Sequence, residues 1–116
     1  MNTLKHYFPI PTVSEANVRE HWATKHKRKK EQQLELSIRL PKLPECFTPD
    51  RITITLTRFY TRRPMDSDNL AGCFKHVRDG IAKWLKVDDG DDKLTWKYEQ
   101  VKGLVGGFEM KLEPTV

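Results

Sequence analysis

Asp66, Asp68 and Asn69 stand within the run PMDSDNL, and Asp88, Asp89, Asp91 and Asp92 within DDGDD. In an extended segment, side chains at i and i+2 point the same way. Asp66 and Asp68 would then present two carboxylates on one side, roughly 7 Å apart along the chain. Oxygen donors of this kind suit a hard divalent cation such as magnesium. A cation so held activates water and stabilises the charge that builds up in phosphodiester hydrolysis. The same residues have plainer uses. Asp, Ser and Asn cap helix N-termini well, and Asp with Gly makes solvated turns. A calcium-binding EF-hand is excluded. With Gly90 at loop position six, Leu85 and Trp96 would occupy positions one and twelve, where carboxylates belong.

The charge around these clusters is uneven. The chain carries a net +5. Residues 1–64 hold 13 Lys/Arg against 6 Asp/Glu, and residues 65–116 hold 8 against 10. The first half is suited to a polyanion, whose phosphates Lys and Arg neutralise. The run Lys25, His26, Lys27, Arg28, Lys29 and Lys30 is the densest basic stretch, and Arg62 and Arg63 directly precede the first acidic cluster. The four histidines, His6, His21, His26 and His76, lack zinc-type spacing on one helix face. Cys46 and Cys73 form no CxxC pair and read as two reduced thiols.

The elements that must position these residues follow from patterning. A length of 116 residues, with 37% hydrophobic and 32% charged residues, fits a single globular domain spanning 1–116. Leu4 to Ile10 is a candidate strand. Ser14 to about Ser37 reads as one helix, with Ser14 as N-cap and Glu15 and Glu20 near its positive end. Val18, Trp22, Leu34 and Ile38 are its expected apolar contacts, and its polar stretch 25–33 is expected to project or meet a partner. Trp22 packs in the core or stacks on a base. Arg51 to Tyr60, with Ile52, Ile54 and Leu56 alternating with threonines, has the period of a half-buried strand. A second helix is expected from about Asp68 to Lys86, its apolar face made by Leu70, Phe74, Val77, Ile81, Trp84 and Leu85. DDGDD is a loop. Leu94 to Val101 and Phe108 to Leu112 read as strands joined by the turn signal Gly103 to Gly107. The expected fold is α+β, with one mixed sheet, two main helices and a C-terminal antiparallel β-hairpin.

One geometric problem is visible at this level. A helix of about 18 residues spans roughly 27 Å and would hold the two acidic clusters apart. Either the helix is shorter or interrupted, or the site is assembled across a dimer, or DDGDD is not a ligand set. Gly72 and Gly80 are candidate weak points.

The stretch DSDNL, then KHVRDGIA, then VDDGDD resembles the signature of the RusA family of Holliday junction resolvases, common in bacteriophages and prophages. The resemblance covers about residues 62–92, and Asn17 with His21 and Trp22 in the basic helix fits it more loosely. It implies a homodimeric endodeoxyribonuclease that binds four-way DNA junctions. Such an enzyme cuts symmetrically related phosphodiesters with magnesium, or manganese in its place. It implies that Asp66, Asp68 and one member of the Asp88–Asp89 pair, taken as Asp89, bind the metal and serve catalysis. An active-site lysine belongs to the pattern, four residues after the second aspartate. Here that position is Gly72, and the nearest lysine is Lys75. Seven residues make about two helical turns, which would keep Lys75 on the Asp68 face. The plainer reading pairs Lys75 with Asp79 at i+4. Arg62 and Arg63, with Lys25, Arg28 and Lys29, are the expected phosphate contacts.

Two other classes compete. One is a non-catalytic phage DNA-binding accessory protein with the same fold. The other is a basic protein-interaction module that docks helix 14–37 on an acidic partner. No stretch is apolar enough to cross a membrane, and the N-terminus lacks the long apolar core of a secretory signal, so the expected location is cytoplasmic. No small-molecule cofactor is expected.

Overall fold

The structure is a computed structural model and describes residues 3–10, 12, 22–42 and 51–115. The alternating run ITITLTRFY forms β2 (Ile52–Tyr60), one of two central strands of a four-stranded sheet. The others are β1 (Leu4–Phe8), β3 (Leu94–Lys102) and β4 (Gly107–Pro114), in the order β1-β4-β2-β3. β1 and β2 both pair antiparallel with β4, while β2 and β3 run parallel. The sheet is therefore mixed, and the fold is α+β with a single hydrophobic core.

Among the described residues three helices accompany the sheet: α1 (Trp22–Arg39), α2 (Ser67–Cys73) and α3 (Lys75–Leu85). Register places Ile54 beside Trp96 and Leu112, and Leu56 beside Tyr98 and Met110. These side chains share one face of the sheet and enter the core with Phe74, Val77 and Ile81 of the helical layer. Phe108 stacks on Phe8 at 5.0 Å and meets Phe74 edge-on at 5.5 Å. The opposite face carries Thr53, Thr55 and Thr57, with exposed Thr95, Lys97 and Glu99 beside them.

The expected C-terminal hairpin does not form. β4 follows β3 in sequence but crosses the end of β2 and inserts between β2 and β1. The side chains explain the order. Phe108, Met110 and Leu112 of β4 are fully buried, as an inner strand requires, whereas β3 alternates exposed and half-buried residues along an edge. The crossing is tight. The Gly103 amide donates to the Tyr60 carbonyl at 2.8 Å, and Tyr7 Oη donates to the Gly106 carbonyl. Gly107, at φ +118°, would place a Cβ 2.6 Å from the Phe8 carbonyl, so only glycine fits.

The helix expected from Asp68 to Lys86 is interrupted. Phe74, at φ −99° and ψ 6°, ends α2 and begins α3. Its ring is fully buried and stacks on Tyr98 at 6.0 Å, so core packing draws this residue out of helical register. α1 differs from expectation in which face it buries. Leu36 is buried and Gln33, Leu36 and Leu40 face α3, whereas Leu34 and Ile38 are 62% and 71% exposed. The contact is close: a Cβ added at Gly80 would lie 2.6 Å from Leu36 Cδ2, so that methyl would have to move. Ser14, Glu15, Asn17, Val18, Glu20, His21 and Cys46, and the side chain of Trp22, lie outside the described residues. Among those described, no helix is long and apolar enough to cross a membrane.

Candidate functional site

The chain leaves β2 at Tyr60 and reaches α2 through exposed Thr61 to Pro64. Arg62 and Arg63 lie on this connection, with their side chains in solvent. Met65 is fastened to β3, since the Gln100 side chain receives its amide at 2.9 Å and donates to its carbonyl at 2.6 Å. Asp66 follows as the N-cap of α2. Its Oδ1 accepts from the Asn69 amide at 2.8 Å, and its Oδ2 from Asn69 Nδ2 at 3.1 Å. The extended geometry that would set Asp66 and Asp68 side by side stops at Asp66, because Asp68 already lies in the first helical turn. Asp68 is exposed on that turn.

The second acidic cluster folds as a turn. Asp88 Oδ1 accepts from the Gly90 amide at 3.3 Å and Asp91 Oδ1 from the Lys93 amide at 2.9 Å. Asp89 faces α3, where its carboxylate lies 3.6 Å from Arg78 Nε. Its carbonyl accepts from Arg78 Nη2 at 3.1 Å and from Trp96 Nε1 at 3.0 Å.

β3 ties down both acidic segments. Met65 is bound at Gln100 and Asp89 at Trp96. Those positions are four residues apart, about 13 Å at the rise of a strand. Ligand oxygens lie 2.0–2.6 Å from magnesium or calcium, and so within about 5 Å of each other. Among the described residues no three of His, Cys, Asp or Glu gather as a metal site. Asp66, Asp68 and Asp89 are not gathered into such a group. The helix is interrupted at Phe74, and no group of three carboxylates forms from the two clusters among the described residues.

Comparison settles no family. No family model matches the chain, and no curated protein matches it.

Lys75 is the first residue of α3 and is exposed. The break at Phe74 puts Asp68 in α2 and Lys75 at the start of α3, so the seven-residue spacing does not run within one helix. The pairing with Asp79 is absent too. Asp79 Oδ2 instead meets Lys83 Nζ at 3.7 Å and Gln33 Nε2 at 3.2 Å, in the seam between α1 and α3. On α1, Lys25, Arg28 and Lys29 are half-buried, while His26, Lys27 and Lys30 are exposed. Lys27 lies 3.9 Å from Glu31.

Two residues without a role in the sequence reading carry much of this geometry. Gln100 anchors the approach to Asp66, and Arg78 anchors the acidic turn. Arg78 left one signal in the sequence. It follows Phe74 by four residues and precedes Ile81 by three, which puts a cation at the margin of the buried stripe of α3.

Proposed function

We propose that this chain is an endodeoxyribonuclease of the RusA type, acting on four-way and other branched DNA with magnesium, as a homodimer in the cytoplasm. The observation that carries the reading is the surface at the start of α2. Solvent-exposed Arg62 and Arg63 lead directly to exposed Asp66 and Asp68. Guanidinium groups there neutralise phosphates on either side of a bond, next to carboxylates of the type that hold a divalent ion. The basic stretch of α1 adds sequence-independent backbone affinity. Two-fold symmetry in a dimer matches the symmetry of a four-way junction.

A second reading is favoured by a specific observation. Asp66 is engaged in capping and Asp89 in an ion pair, and no group of three ligating side chains gathers among the described residues. That arrangement suits a DNA-binding accessory protein that cuts nothing. Incubation with a synthetic four-way junction and a linear duplex, with magnesium, manganese or EDTA, separates the two. The nuclease produces paired nicks on the junction alone, lost in EDTA and in Asp68→Asn. Tight junction binding without cutting in either metal leaves the accessory protein.

A further inference from the structure

Arg78 engages Tyr98, Asp89 and Trp96 with different parts of its guanidinium. Nη1 donates to Tyr98 Oη at 3.1 Å and Nη2 to the Asp89 carbonyl at 3.1 Å. Nε is buried without a hydrogen bond of its own and faces the Asp89 carboxylate at 3.6 Å. The flat face lies 4.9 Å from the centre of the Trp96 ring, within cation–π range. Trp96 Nε1 donates to the same Asp89 carbonyl. Only a planar fork can serve these partners together, because an ammonium offers neither a stacking plane nor fixed divergent donors.

We infer that Arg78 is a positioning residue that clamps the acidic turn 88–92 between α3 and β3 and sets where the Asp89 carboxylate points. Apart from Arg78 and the Trp96 indole, the turn is held by short-range bonds, from Gly90 and Asp91 back to Asp88 and from Lys93 and Leu94 back to Asp91. Of the residues in this part of the chain, Arg78 joins the turn to both flanking elements. For its effect on cleavage the inference rests on the RusA-type reading; for its effect on the turn it does not.

The test uses the full chain with Arg78→Met, which keeps the apolar stem and removes the donors, and Arg78→Lys, which restores charge alone. The Trp96 indole N–H resonance, identified by its loss in Trp96→Phe, is expected to shift in Arg78→Met. Amide exchange over residues 88–92 is expected to quicken at least tenfold there. Displaced reacting groups lose roughly ten- to hundredfold in rate. The rate of junction cleavage at saturating DNA should therefore fall by at least about tenfold, with junction affinity and its salt dependence unchanged. Arg78→Lys should recover only part of the loss. An unchanged Trp96 resonance with unchanged exchange overturns the clamp. A loss of junction affinity with a shallower salt dependence also overturns it, since Arg78 would then be a phosphate contact. If the wild-type chain does not cut DNA, the RusA-type reading fails while the resonance and exchange still decide the clamp. If Arg78→Met does not fold, Tyr98→Phe and Asp89→Asn each remove one partner, and faster exchange in the turn is expected from both.

Discussion

Asp66 and Asp68 are two residues apart and do different physical work. Both oxygens of Asp66 accept hydrogen bonds from Asn69, so its removal exposes unpaired donors at the start of α2. Loss of an N-cap costs about 1 kcal/mol. Asp66→Ala should therefore lower stability by about that much in urea unfolding. Asp66→Asn should keep most of it, since Asn also caps. Asp68 holds up no such contact, and Asp68→Asn should leave stability within about 0.5 kcal/mol. If both asparagine variants abolish cutting while both remain folded, the loss is chemical. Cys73 makes a separate prediction. Burial pushes its thiol up from 9.0 to about 11, against the opposing charge of Arg58 and the Thr12 hydroxyl. The fold thus favours the protonated thiol. Its contribution to stability is complete below pH 9 and is lost as pH rises through about 11. The unfolding free energy of the wild type should fall more steeply over that window than that of Cys73→Ala.

Helices α2 and α3 differ in how their glycines sit, and opposite signs follow. A Cβ at Gly72 would meet nothing within 4 Å. Glycine inside a helix costs up to about 1 kcal/mol relative to alanine, so Gly72→Ala should raise the melting temperature. At Gly80 a Cβ would press on Leu36 Cδ2. Overpacking costs about 1–3 kcal/mol, which outweighs the gain in helix propensity. Gly80→Ala should lower the melting temperature and loosen α1 against α3. The break between the helices belongs to this scale as well. Phe74 is held by Tyr98 and Phe108, so the break that puts Asp68 in α2 and Lys75 in α3 is maintained by the core.

Across the whole molecule the charged groups segregate by surface. Arg62 and Arg63 extend from one end of the sheet, α1 carries the basic run, and the face bearing the threonines mixes Lys97 with Glu99. Each phosphate contact adds about 0.9 to the slope of log affinity against log salt on duplex DNA. Replacing both Arg62 and Arg63 by alanine should reduce that slope by about 2, measured by junction binding across a salt series. Lys97→Ala, on the other face of the sheet, should leave it unchanged. Equal effects from both would mean that DNA binds without regard to this surface.

Local pattern determined much of this protein. The alternation of Ile52, Ile54 and Leu56 with threonines marked β2, and the apolar spacing from Leu70 to Leu85 marked the helical stretch that follows it. The capping chemistry of DSDN and the turn chemistry of DDGDD were equally legible, because each depends on residues within three or four positions. Only the tertiary structure decided the rest. Period-two alternation says which side chains share a face and is silent on which strand lies alongside, so β4 entering between β1 and β2 is a matter of whole-sheet burial. Apolar residues occur on more than one face of α1, and the close approach at Gly80 selected Leu36 over Leu34 and Ile38. The attachment of the two acidic segments to β3, Met65 at Gln100 and Asp89 at Trp96, is likewise tertiary. Contacts between these segments and β3 make those ties, and spacing along the chain does not encode them.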